Sequence, residues 1–260
     1  MNKDQRILLI TGAATGIGKN VAMHFLTHDY CVHICDRNES SLIKFLRDNP
    51  KATGNVADVS SPNDVKKTIH EVKKNYGKLD VLINNAGISG GTAVTENTSI
   101  EDWNETISVN LNGMFYFTKL AIPYLKKNKR ASIVNISSTA GLFGVPSRSS
   151  YAASKWGVIG FTKTLAMELG PYQINVNAIC PGCVDGDRID GVIRADAKES
   201  GYTYQQIKDV YLRQSSMRSF MDENDIAAMC SFLCSESGSK ISGQAIAIDG
   251  NTEGIFNWLE

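Results

Sequence analysis

Short apolar runs alternate with longer amphipathic segments along the whole 260-residue chain. An apolar run of about five residues bounded by polar or glycine positions predicts a strand that is buried on both faces of a sheet. Such runs predict strands at 6–11, 31–35, a short one reaching Val56, 79–83, 131–137, 174–179 and 244–248. The amphipathic segments predict helices from 16 and at 39–48, 62–75, 100–126 and 150–169, with further helices within 187–236.

Strands that alternate with helices in this way predict an α/β fold with a parallel sheet and right-handed crossovers. The pattern gives about seven strands with helices on both faces, which is a doubly wound sheet in three layers. The chain is 42% hydrophobic and has no low-complexity linker, so we expect one domain over residues 1–260. Segment 185–220 is expected to form a lid beside the carboxyl ends of the strands, where such sheets bind ligands.

A glycine-rich turn, Thr11 to Gly18, connects the first predicted strand to an amphipathic helix. Strand, glycine turn and helix form the context that a dinucleotide fingerprint requires. Gly12 permits the tight turn, Gly16 lets the backbone approach a pyrophosphate, and Gly18 lets the helix pack against the strand. Because a helix N-terminus offers amide donors to phosphates, we expect a dinucleotide to bind along this turn. The other predicted contacts in the turn are Ala14, Thr15 and Ile17.

The second predicted strand ends at Asp36, about twenty residues after the glycine turn, where an acidic residue binds ribose hydroxyls in dinucleotide folds. A carboxylate there repels a ribose 2′-phosphate, so the sequence predicts NAD as the cofactor rather than NADP. Ala14 and Thr15 bring no positive charge to reverse this preference. Arg37 leaves two roles open, since a guanidinium can stack on adenine or pair with a 2′-phosphate.

Tyr151 and Lys155 are four residues apart in a predicted helix, so their side chains share one face. An ammonium beside a phenol favours the phenolate, and this kind of pKa shift tunes a general acid/base toward neutral pH. By itself such a pair is more often a half-buried ring beside a snorkelling lysine. The glycine turn and a serine at Ser138 favour the catalytic interpretation.

Together these motifs resemble the short-chain dehydrogenase/reductase family, and the resemblance covers nearly all of the chain. Three more family motifs appear in order: Asp58-Val59, Asn84-Asn85-Ala86-Gly87 and Pro181-Gly182-Cys183-Val184. The family's catalytic tetrad falls on Asn110, Ser138, Tyr151 and Lys155. The resemblance implies a Rossmann-like fold, with cofactor contacts also from Asp58, Val59, Asn85, Gly87, Tyr151, Lys155, Pro181, Gly182 and Val184. Many relatives carry a threonine where this chain has Gly186, so one side-chain contact to the cofactor is missing from the pattern.

The resemblance implies an NAD-dependent oxidoreductase that interconverts a secondary alcohol and a ketone of a small polar substrate. Tyr151 would exchange the proton while Ser138 holds the substrate oxygen. Lys155 would contact the nicotinamide ribose and lower the tyrosine pKa, and Asn110 would hold a water that links Lys155 to solvent. The family also implies a homotetramer formed through the long fourth and fifth helices and the C-terminal strand.

Two other functions stay open at this point. A 3-oxoacyl-carrier-protein reductase of the same family would normally use NADPH and a basic docking face, and Asp36 and the neutral composition count against it. A non-catalytic dinucleotide sensor would keep the glycine turn but usually loses part of the tetrad, and all four tetrad residues are present here.

Composition and charge exclude several other classes of partner. Lys+Arg and Asp+Glu are equal at 27 each, so no basic field predicts nucleic acid or an anionic membrane surface as a partner. No apolar run approaches the ~20 residues of a membrane span, and the N-terminus leads straight into the first strand, so we expect a cytoplasmic protein. In the cytoplasm the six cysteines are expected to be reduced thiols. Cys180 and Cys183 have redox or metal spacing, but they follow a strand, and no metal is expected.

Arg148 is the candidate substrate contact, because it lies three residues before Tyr151 where side chains of the family line the pocket. Its guanidinium can bind a carboxylate, sulfonate or phosphate through two hydrogen bonds. The alternative is an ion pair with an acid of the lid or of a neighbouring subunit, such as Asp185 or Asp187. The other lid charges, including Arg188, are expected on solvated helix faces.

Overall fold

The computed structural model describes residues 5–252 and 254–255, and these residues contain one sheet of seven parallel strands. The strands are β1 (Ile7–Thr11), β2 (Cys31–Asp36), β3 (Thr53–Val56), β4 (Val81–Asn84), β5 (Ala131–Ile136), β6 (Ile174–Pro181) and β7 (Ala245–Ile248). Their order across the sheet is β3-β2-β1-β4-β5-β6-β7. The predicted doubly wound α/β fold is therefore confirmed.

The helices lie between these strands along the chain. They are α1 (Gly16–Thr27), α2 (Glu39–Asp48), α3 (Pro62–Tyr76), α4 (Ile100–Ile107), α5 (Gly113–Leu125), α6 (Ser149–Leu169), α7 (Asp187–Ser200), α8 (Tyr204–Arg213) and α9 (Glu223–Cys234). The predicted start of α3 is confirmed, since Pro62 is its first residue and the Ser61 hydroxyl accepts from the Asp64 N–H. Such a cap satisfies an amide that the helix itself leaves unpaired.

Side chains of the strands point alternately to two separate hydrophobic cores. On one face of β1, Leu8 and Ile10 join a cluster with residues of α1, α2 and α9. On the other face, Ile7 and Leu9 join a cluster with residues of α3, α5 and α6. Because helices cover both faces of the sheet, the central strands are continuous apolar runs in the sequence. A smaller core around Ile193 joins α7 to α8 within the lid segment.

The expected long helix at 100–126 is interrupted. A π-helical turn over Ser108–Asn112 separates α4 from α5. Such wide turns occur mostly as single-turn insertions in α-helices, frequently at functional sites. Here the turn contains Asn110, one of the predicted catalytic residues.

None of the helices in the described part of the chain is both long and apolar enough to cross a membrane.

Candidate active site

A cleft of about 850 Å³ opens where the strand order reverses between β1 and β4. Ligands of doubly wound sheets bind at this place, outside the carboxyl ends of the strands. The predicted site residues line this cleft with two exceptions. Ala14 and Asn110 are buried and do not line it.

The glycine turn leaves no room for side chains at two of its positions. A Cβ on Gly12 would lie 2.8 Å from the Cα of Ala86, and one on Gly18 would lie 2.4 Å from the carbonyl oxygen of Gly12. Gly12 also has a φ of 61°, in the left-handed region that favours glycine. Steric contact therefore requires glycine at both positions.

Helix α1 begins at this turn without a side-chain cap. In the described residues its N-cap, Thr15, makes no capping hydrogen bond through its side chain, and its first turn contains no acidic residue. The first amides of a helix have no partner inside the helix. They can donate to phosphate oxygens, and the helix dipole favours negative charge there. The turn thus fits the pyrophosphate of a dinucleotide.

Asn85 holds the glycine turn in place. Its Nδ2 donates to the carbonyl oxygens of Thr11 and Gly12, at 3.0 and 2.8 Å. The Thr11 hydroxyl accepts in return from the N–H groups of Asn85 and Ala86, both at 3.1 Å. The loop after β4 is thereby fixed to the loop after β1.

Asp36 and Asp58 line the end of the cleft assigned to adenosine. Asp36 accepts from the N–H groups of Ala14 and Asn38, at 3.0 and 2.9 Å. Asp58 accepts from the N–H and the hydroxyl of Ser60, at 2.8 and 2.7 Å. These bonds fix the orientation of both carboxylates, so ribose and adenine would meet a preformed acidic wall.

Tyr151 and Lys155 lie one turn apart on α6, as the sequence predicts. The Nζ of Lys155 is 5.6 Å from the centre of the Tyr151 ring. Lys155 is buried and donates from Nζ to the carbonyl oxygen of Ile136 at 2.9 Å. This bond directs the ammonium toward the end of β5, next to Ser138. The geometry places a fixed cation between the phenol and the strand ends.

The electrostatics around Tyr151 favour its ionisation. Burial raises the pKa of its phenol, but Lys155, Arg188, a hydrogen-bonding contribution from Ser138, and Arg148 all lower it. The net result is a pKa below the ordinary value of tyrosine. Burial also lowers the pKa of Lys155, which the phenolate in turn raises and Arg188 lowers. Charge proximity thus brings the pKa of Tyr151 nearer to neutral pH, and burial does the same for the pKa of Lys155.

Asn110 occupies the π-helical turn and is fully buried. Its Nδ2 donates to the carbonyl oxygen of Ile88 at 2.9 Å and to the Ser154 hydroxyl at 3.0 Å. Its Oδ1 accepts from the Ile88 N–H at 2.8 Å. Both side-chain N–H groups are therefore used within the protein. Asn110 connects the loop after β4 to the catalytic helix.

Arg148 is the N-cap residue of α6, and its side chain faces the lid. Its guanidinium lies 3.9 Å from a carboxylate oxygen of Asp196 on α7. The partner is an acid of the lid, as the alternative expects, but it is Asp196 rather than Asp185 or Asp187, because the third turn of α7, and not its start, reaches Arg148. Asp196 also accepts from the Tyr211 hydroxyl of α8 at 2.6 Å.

Arg188 is a site residue that the sequence analysis missed. It is exposed on its helix, as expected, but it also lines the cleft and lowers the pKa of both Tyr151 and Lys155. Tyr211 and Glu223 line the cleft as well. No motif marks these residues, and only the packing of the lid and of α9 brings them to the site.

The cysteines near the site are not poised for redox chemistry. Burial raises the pKa of Cys180 to about 11 and that of Cys183 to about 12, and a reactive thiol needs a lowered pKa. All six cysteines are free. Among the described residues, no group of three or more His, Cys, Asp or Glu could hold a metal ion.

This combination of a glycine turn at the strand-order reversal and a Tyr–Lys pair beside it defines a dinucleotide-dependent oxidoreductase fold. The family model "short chain dehydrogenase" matches residues 6–197. The 3-oxoacyl-[acyl-carrier-protein] reductase FabG of Thermotoga maritima is 36% identical over 254 residues, covering 96% of this chain and 98% of the relative. The chain belongs to the short-chain dehydrogenase family.

Solved structures show the same similarity. An actinorhodin polyketide ketoreductase with NADPH has a TM-score of 0.91 and 31% identity, covering 96% of this chain and 97% of the other. An NAD⁺-bound xylitol dehydrogenase also has a TM-score of 0.91, with 28% identity, covering 96% of this chain and 100% of the other. Similar folds thus serve different substrates and both dinucleotides.

Proposed function

We propose that this protein is an NAD-dependent oxidoreductase that interconverts a secondary alcohol and a ketone of a small polar substrate. The observation that carries the proposal is the phenol of Tyr151, which lines the cleft and has a lowered pKa despite its burial. A general acid/base is most effective when its pKa is near the working pH. Lys155, Arg188, Ser138 and Arg148 are the groups that produce this shift.

Ser138 and Tyr151 would act together on the substrate oxygen, since both line the cleft. In oxidation the Tyr151 phenolate accepts the proton of the substrate hydroxyl, and in reduction the phenol donates it. A bound dinucleotide supplies the hydride acceptor or donor at its nicotinamide ring. Lys155 uses one N–H on Ile136, which leaves two donors for the nicotinamide ribose. Asn110 would hold a water through Oδ1 or its main chain, because its side-chain N–H groups are already used.

The other residues that line the cleft would make the remaining contacts with the cofactor. The glycine turn and the start of α1 would hold the pyrophosphate, and the adenosine would lie against Asp36, Arg37, Asp58 and Val59. Asn85 and Gly87 would support the centre of the dinucleotide, and Pro181, Gly182 and Val184 would flank the nicotinamide.

Asp36 supports NAD as the cofactor, because its carboxylate stands at the cleft wall where a 2′-phosphate would lie. We expect NAD to bind at least tenfold more tightly than NADP, which is about 1.4 kcal/mol. Titration of both by fluorescence measures this directly. Equal dissociation constants would show that Arg37 outweighs Asp36.

The walls around the catalytic tyrosine support a small polar substrate. Arg148, Arg188 and Tyr211 line this part of the cleft. Guanidinium groups offer hydrogen-bond donors that the oxygens of sugars and hydroxy acids can accept and that an acyl chain cannot. The screen that tests the proposal measures NADH formation with sugars, hydroxy acids and cyclic alcohols, with Tyr151→Phe as the inactive control.

A second candidate function is 3-oxoacyl-carrier-protein reduction, which the 36% identity to the Thermotoga maritima reductase favours. This candidate predicts oxidation of NADPH with a 3-oxoacyl thioester. The two functions separate in one assay, because the first needs NAD and a polar alcohol. A protein that bound dinucleotide but turned over neither substrate class would support the third possibility, a sensor.

We further propose a cytoplasmic homotetramer of one domain without nucleic-acid or membrane partners. Phe115 on α5 and Trp156 and Met167 on α6 are large exposed apolar side chains, which supports association through these helices. The free thiols support a reducing compartment. Light scattering at micromolar concentration tests the tetramer, and a monomer would refute it.

A further inference from the structure

A carboxylate lies beside the phosphate-binding turn at the wall of the cleft. Glu223 is the first residue of α9 and lines the cleft. Its Oε1 lies 3.7 Å from the position that a Cβ on Gly16 would have, and 4.0 Å from that of a Cβ on Gly186. Gly16 is the position at which the backbone approaches the pyrophosphate of a dinucleotide. The Glu223 carboxylate therefore stands beside the space for that group.

Neighbouring residues hold Glu223 in this place and set its charge. Its Oε2 accepts from the Nδ2 of Asn20 on α1. Burial raises its pKa, and the carboxylates of Asp222, its own N-cap, and Asp187 on α7 raise it further, against the opposing effect of Lys19 on α1. The surroundings thus favour the neutral form more than solvent does.

We propose that Glu223 limits the affinity of the cofactor site, because its ionised carboxylate repels the pyrophosphate of the bound dinucleotide. This inference rests on the proposed dinucleotide-dependent function. A unit charge within about 4 Å of another changes a binding constant by roughly fivefold in water, and by more in a partly buried cleft. Protonation of Glu223 would remove this repulsion.

The effect of Glu223 is distinct from that of Asp36. Asp36 lies at the adenosine end and discriminates between NAD and NADP, whereas the pyrophosphate is common to both. Glu223 therefore weakens both cofactors equally. In many enzymes product release limits kcat, so a carboxylate at this place speeds release of the spent dinucleotide.

The dependence on pH follows from the charge of the carboxylate. Repulsion is present when Glu223 is ionised and disappears as pH falls through its raised pKa. Binding of a pyrophosphate raises that pKa further, so a proton is taken up on binding. Affinity for a pyrophosphate ligand therefore increases as the solution is acidified.

The test compares two ligands that differ in the pyrophosphate. ADP-ribose contains this group and adenosine does not. Both are titrated by calorimetry into the wild-type protein, Glu223→Gln and the matched control Glu168→Gln, an exposed acid on α6 outside the cleft. Glu223→Ala is the second variant in case the amide disturbs folding, and thermal unfolding checks each protein.

At pH 7.5 we expect Glu223→Gln to bind ADP-ribose at least fivefold more tightly than wild type, with unchanged adenosine affinity and no effect of Glu168→Gln. The difference should shrink at pH 5.5. Calorimetry in buffers of different ionisation enthalpy should show proton uptake on binding by wild type and Glu168→Gln, but not by the Glu223 variants. Equal or weaker ADP-ribose binding by both Glu223 variants would overturn the inference. If wild type and variants bind no ADP-ribose, the proposed function fails and the inference with it.

Discussion

Arg148 and Asp196 form an ion pair of 3.9 Å between the start of the catalytic helix and the lid. Both side chains are largely shielded from solvent. The same carboxylate accepts a hydrogen bond from Tyr211, so one acid joins α6, α7 and α8. An anionic substrate that bound Arg148 would compete with Asp196, and substrate binding would then be coupled to the position of the lid.

Arg148→Met should raise KM at least tenfold for an anionic alcohol, about 1.4 kcal/mol, with little change for a neutral one. The physical reason is that only the anion gains charge-assisted hydrogen bonds from the guanidinium. Steady-state kinetics with both substrate classes measures the difference. Arg47→Met, an exposed arginine on α2, is the control. If both classes respond equally, Arg148 only stabilises the lid.

Tyr151→Phe should reduce kcat by several orders of magnitude and leave NAD affinity almost unchanged. The substitution removes the proton-transfer group but keeps the ring. Single-turnover kinetics and fluorescence titration of the cofactor measure the two effects separately. A variant that kept a tenth of the wild-type kcat would disprove the assignment of Tyr151 as the acid/base.

Arg188→Met should shift the pH profile of alcohol oxidation to higher pH. Arg188 lowers the pKa of Tyr151, and the phenolate is the active form in oxidation. Without this cation the phenol ionises at higher pH, so the rising limb of kcat/KM against pH moves in the same direction. Arg194→Met, a second arginine of the same helix, should leave the limb in place. An unshifted limb in the Arg188 variant would contradict the proposed electrostatic role.

Acid should destabilise the fold through His33. Burial lowers the pKa of this histidine, more than a hydrogen bond to Asn55 and the charge of Glu71 raise it. Its ring nitrogens lie 2.8 Å from the Thr53 hydroxyl and 2.9 Å from Oδ1 of Asn55. The unfolded chain binds a proton at His33 below about pH 6.5, whereas the native state binds it only at lower pH, so stability falls as pH falls through this value.

Thermal unfolding at pH 7.5 and pH 5.5 measures this loss. His33→Gln cannot titrate, so its Tm should decrease less between the two pH values than that of wild type. An equal decrease in both proteins would assign the acid sensitivity to other groups.

The sequence predicted those parts of the site that depend on neighbouring residues in the chain. Gly12 and Gly18 belong to one turn, and Tyr151 and Lys155 to one helical turn, so local spacing was sufficient. Arg188 reaches the cleft because the lid packs through its own small core. That placement is a property of tertiary packing, which residue spacing does not reveal.

The sequence did not predict the π-helical turn either. Residues 100–126 have a continuous amphipathic pattern. No amino-acid composition distinguishes a π-helical turn from the α-helix around it. For a related reason the sequence predicted an acid of the lid beside Arg148 but not which one, since Asp185 is nearer along the chain whereas Asp196 forms the ion pair.

The widened turn at Ser108–Asn112 makes the chain length here as important as the residue types. Removing one residue would allow α4 and α5 to join as one regular helix. Each residue of an α-helix accounts for about 100° of rotation, so either Asn110 or the whole of α5 would then turn away from its present contacts. Substitutions in this segment can be absorbed by packing, whereas a single-residue deletion would disconnect the catalytic helix from the loop after β4.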